Sequence, residues 1–196
     1  MTSTAARSDG IIKAILFVSL AVFASLEIQA LGMDSHYKYD LLICAGLSIL
    51  TYLFRQQISL HWFHFLLFNI FLLTHALGMF QLYETYPLGV EYDYWVHGFF
   101  GLICAFVSLQ ALSASVIKNS LRFSVMATIV IALGVSALHE LYEFAGAILL
   151  GEGEGVLFVG AGDTDQWDTQ KDMLNNLIGT LLGVLIYEIY CYVKRS

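Results

Sequence analysis

"DTQKDMLNNLIGTLLGVLIYEIYCYV", residues 168–193, decides the fold. Asp168, Asp172, Asn175 and Asn176 crowd its first nine residues, and the remainder is apolar apart from Thr180 and Glu188. An apolar run of this length reads as a membrane-spanning helix. Its carboxylates therefore stand at the mouth of a hydrocarbon phase that does not solvate them. Something must neutralise them, and the partner has to come from elsewhere in the chain or from a bound ion.

The whole composition agrees with a lipid solvent. The chain has 196 residues, 58% hydrophobic and only 13% charged, with one proline and a mean hydropathy of +0.72. Soluble domains sit nearer half apolar and about a quarter charged. The length suits one helical bundle with no linker, a single domain over 1–196. A net charge of −7 gives no basic patch for nucleic acid. Cys44, Cys104 and Cys191 lie far apart in apolar runs with no CxxC spacing, which indicates neither a thiolate zinc site nor a disulfide framework and reads as buried thiols. The opening "RSDGIIKAILFVSLAVFASLEIQALG" has the charge pattern of a signal peptide, but its apolar stretch is long enough to span and is read as a retained first helix.

Six apolar segments span 11–33, 39–54, 58–80, 93–116, 121–150 and 168–193, the second of them short. No period-2 alternation suggests a barrel, and backbone groups in lipid must bond within their own segment, so the expected class is all-α: a polytopic bundle of six transmembrane helices. Arg7, Lys13, Arg55, Lys118, Arg122, Lys194 and Arg195 fall on one side, against Lys38 and Lys171 on the other. That bias puts both termini in the cytoplasm. Most acids, Asp93, Asp168 and Asp172 among them, gather at the opposite side.

Depth along the helices, at about 1.5 Å per residue, brings the polar residues into one slab. Glu27 and His75 lie roughly 24–25 Å from the cytoplasmic ends of the first and third helices, and His139, Glu140 and Glu143 roughly 24–30 Å along the fifth. Asp93 with His97 opens the fourth helix, and Asp168, Asp172 and Asn176 open the sixth. Asp93/His97, His139/Glu143, Asp168/Asp172 and Asp172/Asn176 are each four apart, so each pair shares a helix face. Gly179 and Gly183 continue the Asn176 face in a small-xxx-small pattern that permits close helix contact, with Gly98 and Gly101 below Asp93.

Ionisable residues inside a membrane are functional candidates that need a partner. Lys171 alone cannot neutralise Glu27, Asp93, Glu140, Glu143, Asp168 and Asp172. Either several of them hold protons, or a divalent cation sits among them. A histidine–carboxylate set suits zinc, manganese or iron, and an all-oxygen subset calcium or magnesium. Taken singly, Asp93 and Asp168 also suit plain N-caps.

Other motifs say less. "HELYE" (139–143) has half of a zinc-protease pattern, with glutamate for the second histidine. His139 and Glu140 point about 100° apart, which favours Glu140 and Glu143 as the inward pair. "GEGEGVLFVGAGDTD" (151–165) lacks the GK[ST] of a phosphate loop and is read as a cover over the site. "DTDQWD" (163–168) lacks the glycine and terminal glutamate of an EF-hand. "HWFHF" (61–65) reads as interfacial, and the absence of GxSxG argues against serine catalysis.

Three segments carry a family resemblance. "DYWVHGFFG" (93–101), "SALHELYEF" (136–144) and "GDTDQWDTQKDM" (162–173) resemble the motifs of the bacterial inner-membrane family typified by YjdF, and more distantly those of VanZ-like membrane proteins. The likeness runs from "LGMFQLYETYPLG" (77–89) onward. It implies that Asp93, His97, Glu140, Glu143, Asp165, Asp168, Gln170 and Asp172 form a site. His139 stands where that family tends to have tyrosine, and Lys171 replaces an aromatic.

The expected function is a metal-dependent hydrolase or transferase acting on a lipid or envelope substrate from the extracytoplasmic side of the inner membrane. His97, Glu143 and Asp172 are the expected ligands, with Asp93 and Asp168 beside them, and Glu140 the general base. Glu27, His75, His139, Asp165, Gln170 and Asn176 stand around them. Two other readings remain open: a cation- or proton-coupled transporter or channel, and an assembly protein whose polar cluster only joins helices. The cytoplasmic half offers no continuing polar path, and no inverted repeat is visible.

Overall fold

A computed structural model describes residues 3–32, 40–78, 80–114, 120–150 and 167–194. They form six α-helices: α1 Ser3–Leu31, α2 Asp40–Leu53, α3 Trp62–Gly78, α4 Tyr92–Ala114, α5 Leu121–Leu150 and α6 Asp168–Val193. Two short 3₁₀ turns, Leu82–Glu84 and Pro87–Gly89, lie between α3 and α4, and no strand occurs among the described residues. The glycine-rich segment 151–165, with Asp163 and Asp165, lies outside the described residues, as does Lys38.

Four stretches are long and apolar enough to cross a bilayer: Ser8–Leu31, Tyr92–Ala114, Leu121–Ala145 and Asp168–Val193. At 14 and 17 residues, α2 and α3 reach only about 21 and 26 Å, short of a hydrocarbon core about 30 Å thick. The third helix starts at Trp62 rather than at residue 58 because the chain first turns back on itself. The Leu60 N–H reaches the Arg55 carbonyl at 2.7 Å, and Ser59 takes a positive φ of 50°. The imidazole of His61 then accepts the Phe63 N–H through Nδ1 at 3.3 Å, so this interfacial histidine caps the helix start. Its neighbour His64 stacks on Phe106, with ring centroids 5.9 Å apart.

The bundle is built inside out relative to a soluble protein. Phe17, Ile28, Leu138, Phe144, Leu181 and Leu185 are exposed on its outer faces, while Ser48, Asn69, Thr128, Ser136, Asn176 and Thr180 are buried. This is the distribution that a hydrocarbon solvent imposes. The buried polar groups join helices. Ser48 on α2 donates to Asn69 Oδ1 on α3 at 2.6 Å, and the Asn69 amide returns to the Phe65 carbonyl at 2.8 Å.

The helices pack as two leaves. In the first, α1, α2 and α3 touch one another around Phe23, Leu41, Cys44, Leu72 and Ala76. In the second, α5 packs on both α4 and α6, and α4 runs against α6 over the most extensive contact in the molecule. The leaves meet where α3 packs on α4. The closeness of α4 to α6 follows from the glycines. A Cβ on Gly101 would fall on the Asn176 carbonyl, one on Gly179 on the Gly98 carbonyl, and one on Gly183 would lie 2.7 Å from Ala105 Cβ. The Thr180 hydroxyl lies 2.7 Å from the Asn176 carbonyl and 3.2 Å from that of Gly101, knitting the seam.

At the basic end, Asp9 near the start of α1 takes Lys13 at 2.8 Å and Arg55, just past α2, at 3.0 Å. Lys13 and Arg55, two of the basic residues that the sequence puts on one side, thus meet at one end of the bundle. The starts of α4 and α6 lie at the other.

Candidate functional site

The α4–α6 seam sets the site. Because the two helices start side by side and run parallel, Asp93 and His97 on α4 face Asp172 and Asn176 on α6. His97 Nε2 lies 3.6 Å from Asp93 Oδ1 and 3.5 Å from Asp172 Oδ2. One ligand atom from each of the three residues falls within 4.8 Å of the other two. Asp172 is only 3% exposed, and its Oδ1 has no hydrogen-bond partner.

Asn176, fully buried one turn below Asp172, orients the imidazole. Its amide group lies 3.1 Å from His97 Nδ1 and 2.6 Å from the Ser136 hydroxyl on α5. The ring is therefore held by Nδ1 and presents Nε2 to the two carboxylates. The Ser136 contact also ties α5 to the seam. Nothing in the sequence singles out Ser136, a small residue in an apolar run.

On α5, His139 and Glu143 bond side chain to side chain at 3.2 Å, as their spacing allows, and the His139 ring centroid lies 6.1 Å from that of His97. Glu143 thus pairs with His139, while Asp93 completes the convergence on His97 and Asp172. Glu140 is buried with Oε1 unpartnered, one residue round the helix.

A third histidine approaches from α3. His75 is buried, its Nδ1 lies 2.7 Å from the Tyr83 hydroxyl, and its Nε2 has no hydrogen-bond partner. Tyr83 comes from the first 3₁₀ turn, and its ring sits where a side chain on Gly78 would otherwise be. Burial pushes the Tyr83 phenol well above its ordinary value, so it stays a proton donor. The segment is pinned further by Tyr92 Oη donating to the Thr74 carbonyl at 2.8 Å and Trp95 Nε1 to that of Pro87 at 3.3 Å. A loop tyrosine carries no helical periodicity, and only the glycine at 78 hints at its seat.

A cavity of about 550 Å³ opens beside these groups, lined at its polar end by His75, Asp93, His97, His139, Glu143 and Asn176. Glu27, Glu140, Asp168, Gln170 and Asp172 are not among the residues that line it, Asp172 lying buried behind His97. Glu27 shares its depth, but it faces the α1–α3 core between Phe23 and Ala30. Gln170 is exposed. Asp168 begins α6, with Trp167 rather than Asp168 at the cap position and no side-chain cap bond there. Its charge sits in the first turn, where the helix dipole favours it. Asp93, likewise favoured as a cap by the sequence, is the second residue of α4 and turns to His97. Lys171 lies over the Tyr94 ring at 5.9 Å.

Apolar outer faces, a polar interior and convergent carboxylates at one end define a multi-pass α-helical membrane protein. The chain belongs to the family described as "Predicted membrane protein (DUF2238)", whose model matches residues 11–192. It is 30% identical over 125 residues to the inner membrane protein YjdF of Escherichia coli (strain K12), a match covering 58% of this chain and 59% of that protein. With that relative it is a protein of the inner membrane. No solved structure matches the chain.

Proposed function

We propose that Asp93, His97 and Asp172 hold a divalent cation, and that the protein is a metal-dependent hydrolase or transferase acting on a lipid or envelope substrate. One observation carries this: three ligand atoms within 4.8 Å of one another, one of their carboxylates almost wholly buried with an oxygen unpartnered. A dry carboxylate pair is unfavourable without a proton or a cation between its members. The donor set of one imidazole and two carboxylates suits zinc, manganese or iron over calcium or magnesium.

The residues around the triad fit that role. A ligating Nε2 needs its lone pair, which puts the ring proton on Nδ1; metal binding would therefore turn the Asn176 carboxamide so that its unpartnered oxygen replaces the Nδ2 now 3.1 Å from Nδ1. Such a cation polarises a substrate oxygen or acidifies a bound water. Glu143, oriented by His139 and facing the cavity, is better placed as general base than Glu140, which does not line it. Asp168 adds negative charge one turn above Asp172, and Asp165 precedes it in sequence.

We place all six helices across the inner membrane with both termini in the cytoplasm and the site toward the extracytoplasmic face. The Asp9–Lys13–Arg55 cluster at one end and the carboxylates at the other support that orientation. The test is metal content. Purified full-length protein should carry about one transition-metal ion per chain, and Asp172→Asn or His97→Ala should carry far less. Metal-free wild type after purification in metal-supplemented buffer would end the reading.

A further inference from the structure

The cavity continues away from the triad. It runs along α4 from Asp93 to Val107 and Ser108, between Leu47 on α2, Phe71 on α3 and Val135 on α5. Fourteen residues of helix separate Asp93 from Val107, about 21 Å of rise. About 550 Å³ drawn out over that length makes a long, narrow space that suits an extended chain better than a compact ligand. Below the polar end the wall is apolar except for Cys44, Thr51, Cys104, Ser108 and Ser136, whose hydroxyl is taken up by Asn176. Such a wall offers water and ions too few partners to hold them in file.

The two leaves also leave a mouth. Helices α2 and α5 both line the cavity, yet no substantial packing joins them. Leu47 on α2 and Ile131, Val135 and Leu138 on α5 line the cavity and are solvent-accessible, as a lateral opening there requires. All three α5 residues fall within the membrane-crossing stretch Leu121–Ala145. The gap between α2 and α5 therefore faces bilayer hydrocarbon, and what enters sideways there is a lipid chain.

We infer that this cavity binds a single acyl chain, entering between α2 and α5, with an uncharged ester or amide carbonyl at the Asp93/His97 end. Among the described residues no Arg or Lys lines it, so an anionic head would meet carboxylates without a compensating side chain from them, whereas a neutral carbonyl does not. His75 lines this end as well, its Nδ1 2.7 Å from the Tyr83 hydroxyl and its Nε2 buried without a partner. The placement of the carbonyl rests on the cation reading above; the chain site does not.

Photocrosslinking of purified full-length protein with two hexadecanoate methyl esters tests it, one bearing a diazirine near the carbonyl and the other at the chain terminus. The first should label peptides around Val96–Phe100 or His139–Glu143, and the second peptides around Ile58–Leu60 or Val107. Val107→Trp should abolish the terminal label while a decanoate probe still labels the polar end. Labels confined to outward residues such as Phe17 and Leu181, independent of diazirine position, would overturn the inference. That depth pattern is read in the wild type and needs no variant to fold. An Asp172→Asn protein without metal but with the same pattern keeps the chain site and removes the cation. A metal-loaded wild type without the pattern does the reverse.

Discussion

Gly179 on α6 lies directly against the backbone of Gly98 on α4, so closely that a Cβ on Gly179 would clash with the Gly98 carbonyl. This contact brings Asp172 and Asn176 to the level of Asp93 and His97. The site and the helix seam are one structure, and a disturbance of the seam reaches the site.

Gly179→Ala and Gly101→Ala should therefore each destabilise the protein, by about 1–3 kcal/mol on the scale of overpacked cores. The atoms in the way are backbone, which cannot swing aside. Gly134→Ala, on the exposed face of α5 where an added methyl would meet nothing within 4 Å, should leave the melting temperature unchanged or slightly raised. Thermal unfolding in detergent compares the three. Equal melting temperatures for all would mean that α4 and α6 do not approach as described.

Tyr83→Phe should cost about 1–3 kcal/mol, because it leaves His75 Nδ1 buried without the hydroxyl that satisfies it. For a chain of this size that is a drop of several degrees in melting temperature. Adding His75→Phe removes the stranded nitrogen, so the double variant should lose less than the sum of the two singles. The phenol's raised pKa fixes the sign of its pH dependence. Its contribution is fully present below the ordinary tyrosine value near about 10 and declines only above that. Additive losses in the double-mutant cycle would mean that the two side chains do not interact.

Much of this arrangement was legible in the sequence. Apolar length marked the helices, and the four-residue spacings correctly paired Asp93 with His97 and His139 with Glu143. The glycines after Asn176 announced the close seam. Depth arithmetic, however, supplies one coordinate out of two. Glu27 and His75 share a level, but only the partners of each helix decide which way a side chain turns, and Glu27 turns into the α1–α3 core. The same ambiguity covers Glu140 and Glu143, less than one turn apart. Tyr83 reaches the site from an irregular segment that has no period to read, and the short helices α2 and α3 show that apolar length alone does not fix a count of crossings.

Orientation has its own check. A protease-sensitive tag at either terminus should be protected in intact cells, and one inserted at Gly153 should be cut, since the basic residues mark the cytoplasmic end. Cleavage of the C-terminal tag in intact cells would move the carboxylate site to the cytoplasmic side and remove envelope substrates from consideration.

The last prediction separates a cation from shared protons at the triad. If Asp93 and Asp172 are held together only by protons, Asp172→Asn removes a repulsion, and the variant should be as stable as the wild type or more so. If a divalent cation holds them, the same change deletes a ligand and should destabilise the metal-loaded protein. Linkage sets the scale: a cation present at about 100 times its dissociation constant contributes about 2.7 kcal/mol. A chelator should then lower the wild-type melting temperature by several degrees and leave Asp172→Asn almost unmoved. Asn176→Leu supplies an intermediate case. It keeps all three ligands but strips the group that orients His97, so metal affinity should fall by about 10–100-fold while saturating metal still restores stability. A wild type indifferent to chelation and free of bound metal, beside an Asp172→Asn variant of equal or greater stability, would assign the triad to protons. A metal too tight to strip would instead show itself in the metal content of the wild type and its loss from the variant.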